Sequence, residues 1–107
     1  MKNIEYNTVM KLTDQIVYGD GQVVSKTFAQ NSSHSLTIFS FDEGEEISTH
    51  KSEGDALIQI LEGKAKVIIE DKEYFLSKGE SIVMPAKKPH AVCAVTKFKM
   101  LLTVFFR

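Results

Sequence analysis

Short apolar runs, each closed by Gly, Asp, Asn or Pro, recur along the whole chain. Runs of this length between turn-forming residues predict β-strands rather than helices. The expected strands cover residues 22–28, 35–41, 46–50, 56–61, 64–70, 73–76, 80–84, 90–95 and 98–106. The turn Tyr18-Gly19-Asp20-Gly21 leads into the first, and Asp42-Glu43-Gly44 closes the second. Glu70-Asp71-Lys72-Glu73 reads as a tight hairpin turn, although it lacks the glycine such turns favour. Asn7 to Gln15 is the one candidate for a helical turn. Eight or nine strands at this spacing predict an all-β sandwich or barrel.

The last strand is apolar on both faces. Phe98, Met100, Leu102, Val104 and Phe106 share one side, and Leu101 and Phe105 lie on the other with Lys99 and Thr103. Such a strand needs a barrel interior on one side and a second cover on the other. With no covering helix in the pattern, the expected cover is a second copy of the chain, which makes a homodimer.

Composition narrows the picture further. The chain has 107 residues, the length of one domain, and 43% hydrophobic residues are enough for a real core. Lys+Arg 13 against Asp+Glu 14 gives a net charge of −1, and Arg107 is the only arginine. No basic face is available to neutralise phosphates, so a nucleic-acid partner is not expected. The densest basic spot, Lys87-Lys88, reads as a solvated turn. Cys93 is the only cysteine, which precludes an intrachain disulfide and fits a reducing cytoplasm. The opening residues, Met1 to Tyr6, lack the apolar stretch of a signal peptide. No apolar run approaches the ~20 residues of a membrane helix.

Two glycine-anchored patterns carry a resemblance. Gly44 is followed by five residues and His50, and Gly63 closes the next strand. Gly79 is followed by five residues and Pro85, with His90 five positions on. Fifteen residues separate Gly63 from Gly79. This resembles the two-motif signature of small bacterial cupins, over about half the chain, from Gly44 to Ala94. The resemblance implies an all-β, double-stranded β-helix or jelly-roll barrel. It implies one cupin domain over 1–107, with N-terminal strands in 1–30, the first motif at 44–63 and the second at 79–94.

In metal-binding cupins the first motif supplies two histidines and a glutamate, and the second supplies a third histidine. His50 fits the first histidine and His90 the last. Ser52 stands at the second histidine's position and Ala56 at the glutamate's. The second motif's inner glycine is Lys87 here and its asparagine is Ala94. The implied metal motif is thus degenerate. Strand alternation gives a compatible geometry: if His50 and His90 face inward, Ser52, Ala56, Ile58 and Val92 do so too. The expected ligand pocket comprises His50, Ser52, Ala56, Ile58, Met84, His90, Val92 and Met100. The expected metal ligands are His50 and His90. Asp55 joins them only if a bulge at Gly54 turns it inward. Any metal would be one divalent ion: Fe, Mn, Ni or Zn.

The remaining chemistry-bearing residues have bland readings. His34 lies in a polar turn, and Cys93 is out of phase with His90, so it faces away from the interior as a small hydrophobe. Glu45, Glu46, Glu53 and Asp55 read as a solvated acidic rim. Three functions stay open. The preferred one is small-molecule binding inside the barrel without a complete metal site. The second is a metal-dependent dioxygenase, isomerase or lyase using His50 and His90. The third is a structural or partner-binding protein with a vestigial site.

Overall fold

The computed structural model describes residues 1–106, apart from the side chains of Thr49 and His50. Two antiparallel sheets face each other. The first has the spatial order β1 (Val23–Gln30), β2 (His34–Phe41), β9 (Phe98–Phe105), β4 (Asp55–Glu62), β7 (Ser81–Met84). The second runs β3 (Glu46–His50), β8 (His90–Ala94), β5 (Lys64–Ile69), β6 (Lys72–Ser77). From β2 onward the chain passes repeatedly from one sheet to the other, which is the jelly-roll path. Among the described residues the remaining regular element is a 3-10 helix at Leu12–Gln15, inside the stretch expected to hold a helical turn. No helix among them is long and apolar enough to cross a membrane.

Alternation drives the packing. On β4, Ala56, Ile58 and Ile60 are buried while Asp55, Leu57 and Gln59 are only partly so. The inner faces of both sheets merge into one core that includes Phe41, Ile58, Val67, Leu76, Val92, Phe98 and Met100. Phe41 and Phe98, paired in register across β2 and β9, stack with centroids 4.5 Å apart. The hairpin expected at Glu70–Glu73 is a two-residue loop, because Ile69 pairs with Lys72. Glu70 takes the positive φ of 56° that a glycine would have held more easily.

On the outer face of the first sheet, part of the cover expected from a second copy is the chain's own N-terminal segment. Ile16, buried, packs with Phe28 and Ile38, and Ile4, Leu12, Val24, Leu36, Leu61 and Leu101 surround them. Each of the three buried side chains contributes about 1.5–3 kcal/mol, and the partly buried ones less. The pattern hid this because the covering residues are scattered through irregular backbone, with no period to reveal them.

Backbone and side-chain hydrogen bonds stitch the segment down. Lys2 N–H donates to the Phe28 carbonyl, the Asn3 amide to the Thr27 carbonyl, and the Ser40 hydroxyl to the Val17 carbonyl, all at 2.8 Å. Lys99, buried on this face, donates to the Thr13 carbonyl and lies 3.9 Å from the Glu62 carboxylate. Without these partners its ammonium would be a buried, unpaired charge. The Tyr18 hydroxyl donates to the same carboxylate at 2.5 Å, with Lys97 and Lys99 at 4.7 and 4.9 Å from its ring centre. Burial, the hydrogen bond to Glu62 and that residue's negative charge push the Tyr18 hydroxyl well above the usual tyrosine range.

This packing sets the expected cost of two glycine substitutions. A Cβ on Gly63 would collide with the Lys97 carbonyl oxygen, whereas one on Gly79 would meet nothing within 4 Å; both have positive φ. Gly79→Ala should therefore cost only the left-handed backbone penalty, about 1–2 kcal/mol. Gly63→Ala should cost roughly 3 kcal/mol or more, read as the larger drop in urea midpoint. For Tyr18, a raised folded value means that its contribution is complete below about pH 10, the usual tyrosine value, and is lost as pH rises through the higher folded value. The midpoint gap between the native protein and Tyr18→Phe should stay constant to about pH 10 and shrink above it. A gap independent of pH would remove this role for the Tyr18–Glu62 bond.

Candidate functional site

A cavity of about 320 Å³ lies between the two sheets. Its walls are built by strand alternation. The first sheet contributes Phe39, Ala56, Ile58, Met84, Met100, Leu102 and Val104; the second contributes Ile47, His90 and Val92. Lys51 and Ser52, on the link between β3 and β4, complete the lining. Ala56 pairs in register with Met84 on one side and Val104 on the other. A methyl group at this central position leaves space that a larger side chain would fill.

Among the described residues that the strands contribute to the wall, His90 is the polar one, and it is only 3% exposed. Its Nδ1 lies 3.2 Å from the Lys88 carbonyl oxygen. A carbonyl only accepts, so this bond places a proton on Nδ1. Ser52 Oγ accepts the Gly54 N–H at 3.2 Å, and the Ser52 carbonyl accepts the Lys87 N–H at 2.7 Å. The second of these bonds ties the β3–β4 link to the β7–β8 loop.

Of the eight pocket residues expected from sequence, Ser52, Ala56, Ile58, Met84, His90, Val92 and Met100 line this cavity. The His50 side chain lies outside the described residues; its backbone pairs with His90 across β3 and β8. Asp55 is on the opposite phase of β4 from Ala56 and outside the lining. Its Oδ1 accepts the Ala86 N–H at 2.8 Å. Gly54 is pressed against the backbone of Phe105, whose carbonyl oxygen an added Cβ would strike.

The sequence reading missed Phe39, Ile47, Lys51, Leu102 and Val104 as lining residues. Leu102 and Val104 share the phase of Met100, so extending that alternation would have found them. Ile47 was hidden by a register shift between Ile47 and His50, which breaks the two-residue period, and Lys51 lies beyond the end of that strand.

The candidates outside the cavity stay outside it. His34 opens β2, half-buried, with Nε2 3.4 Å from the Asn31 amide. Cys93 pairs in register with Glu46 and Lys66 and is half-buried. Burial first, and then the Glu46 carboxylate, raise its thiol above the ordinary value, which disfavours the thiolate a nucleophile needs.

The fit to a divalent metal can be read from the donors. The cavity wall supplies one imidazole, one hydroxyl and one ammonium among the described residues. No group of three His, Cys, Asp or Glu among them is placed to hold an ion. A first-row divalent metal takes at least three imidazole, thiolate or carboxylate ligands. The described donors do not fit one.

Two facing antiparallel sheets joined by repeated crossings, with an apolar cavity between them and a histidine on its wall, define a jelly-roll barrel of the cupin type. A model of the cupin domain matches residues 37–106, and the chain belongs to the cupin family. A conserved protein of unknown function from Streptococcus pyogenes is 42% identical over 99% of this chain and 93% of its own, with a TM-score of 0.97. A cupin superfamily protein from Desulfitobacterium hafniense is 31% identical, with 99% and 97% coverage and a TM-score of 0.94. A cupin 2 conserved barrel domain protein from Leptotrichia buccalis is 39% identical over 90% of this chain but 47% of its own, with a TM-score of 0.86. No curated protein matches the chain.

Proposed function

We propose that the protein binds a small, mainly apolar molecule inside its barrel, by burial and hydrogen bonding rather than through a complete metal site. The observation that carries this reading is the space left at Ala56 between Met84 and Val104, within walls of Ile, Val, Leu, Met and Phe side chains. A volume of about 320 Å³ is within the usual range of ligand pockets. His90 and Ser52 are the few convergent polar groups that such pockets use to orient a ligand.

The test is methyl NMR with 1-hexanol as the probe. The signals of Ala56, Ile58, Met84 and Met100 are expected to shift and saturate in the native protein, and Ala56→Leu, which fills the space, should abolish the response. No shift up to the solubility limit of the alcohol would overturn the reading. Elemental analysis of protein made without a metal-affinity tag bears on the metal-free part. A metal content near one per chain, lost in His50→Ala, would replace this reading with a metal-dependent one.

The assembly proposed with it is a homodimer, now on a narrower ground. Leu57, Val83, Thr103 and Phe105 share the outer face of the first sheet. They lie beyond the cluster under the N-terminal segment. Val83 and Phe105 are 57% and 59% exposed. A second copy meeting this patch would be isologous, as in most soluble dimers. Sedimentation should give a dimer for the native protein and a monomer for Phe105→Asp, with far-UV circular dichroism unchanged. A native protein that sediments as a monomer would remove the dimer. The reducing cytoplasm suggested by the lone, free Cys93 stands as the proposed compartment.

A further inference from the structure

We infer that the molecule held in the barrel is a small carboxylic acid in its anionic form, with its apolar body against Ala56 and its carboxylate at the mouth beside Lys51 and Ser52. This deepens the proposed binding role and rests on it. Lys51 is the one formally charged side chain among the described residues that line the cavity. It is exposed, at the end where the β3–β4 link meets solvent, so its ammonium stays hydrated until a ligand arrives.

Ser52 adds a donor beside it. Its oxygen already accepts the Gly54 N–H, which directs the hydroxyl proton elsewhere. The mouth therefore offers one charged and one neutral donor, the complement of a carboxylate. The nearby acidic groups do not cancel this. Asp55 is on the outward phase and holds the Ala86 N–H, and Glu53 is exposed outside the lining. Glu70 is outside the lining and lies 3.9 Å from Lys88. No arginine is present among the described residues, so a dianionic phosphate finds no bidentate partner, whereas a single lysine matches a single negative charge.

Size completes the assignment. At roughly 30 Å³ per small heavy-atom group, the volume of a water in the liquid, about 320 Å³ holds on the order of ten non-hydrogen atoms. A straight-chain acid of medium length has that size, and its methylenes suit walls built of Ile58, Met84, Val92, Met100 and Val104.

Calorimetric titration with octanoate and 1-octanol, on the native protein and on Lys51→Met, tests the idea. The two ligands have nearly the same apolar body and differ in charge, and the substitution keeps the apolar stem of residue 51. In the native protein octanoate is expected to bind, and raising the salt should weaken it while leaving octanol unaffected. In Lys51→Met the ratio of octanoate to octanol affinity should fall by about fivefold, the order of one partly exposed charge-assisted contact. Octanol binding with an unchanged ratio would overturn the acid assignment while leaving the barrel site standing. Failure of both ligands in the native protein would overturn the binding reading itself and this inference with it.

Discussion

The first sheet of this protein must be covered on both faces, and most of the structure follows from how that is done. On β9, Phe98, Met100 and Val104 face inward and are nearly inaccessible, while Lys99 and Leu101 point the other way and are also shielded. The second sheet covers the inner face. The outer face is strongly apolar around Phe28 and Ile38, and the largely irregular N-terminal stretch is laid across that part of it. That arrangement is specific because its polar contacts are specific. Lys99 reaches the sheet surface only because the Thr13 carbonyl and Glu62 receive it, and Tyr18 completes the group. The N-terminal segment is therefore part of the domain's core, although it lies outside the matched family region.

Close packing elsewhere makes the cavity meaningful. Interiors of this kind fill their space almost completely. Ile58, Ile60, Val67 and Phe98 do so here, each at or below 2% exposure. The gap appears only toward the end where β4 begins, where alanine occupies the place between Met84 and Val104. Two flexible methionines, Met84 and Met100, border the space, and such side chains adapt to a guest at little cost. The end that opens is also the end that carries polar groups. His90 is fixed by the Lys88 carbonyl, and Ser52 is held by Gly54 and Lys87. One anchor lies on the β3–β4 link and the other at the start of β8, and the bond from Lys87 N–H to the Ser52 carbonyl ties that link to the β7–β8 loop.

Strand existence and inward phase were legible because both rest on a period of two and on turn residues. Gly44, Gly63 and Gly79 adopt positive φ, and each marks the strand boundary that its position suggested. The same period placed Ala56, Ile58, Val92 and Met100 on the cavity wall. Legibility ended where the period ended. The register shift in β3 brought Ile47 into the lining, and the end of that strand brought in Lys51, neither of which alternation from Ser52 would select. The N-terminal cover was illegible for a related reason. Ile4, Leu12 and Ile16 are spaced by an irregular path rather than by a helix or strand, so nothing in their pattern announces a common face.

The departure from the metal motif that the resemblance implies has a physical reading in the same geometry. Ala56 stands where the resemblance puts a glutamate, and Ser52 where it puts a histidine; both line the cavity. Replacing a carboxylate by a methyl group at the centre of a wall does two things at once. It removes a charge that would need a cation in an apolar interior, and it opens volume beside Met84 and Val104. With Asp55 turned outward onto the Ala86 amide, no carboxylate enters the described wall to restore that demand. On the binding role proposed above, the electrostatic requirement would move to the mouth and reverse sign. There Lys51 lines the cavity at the boundary with water, where an anion would shed only part of its hydration. A barrel of this kind would favour guests whose apolar part enters and whose charged part stops at the rim.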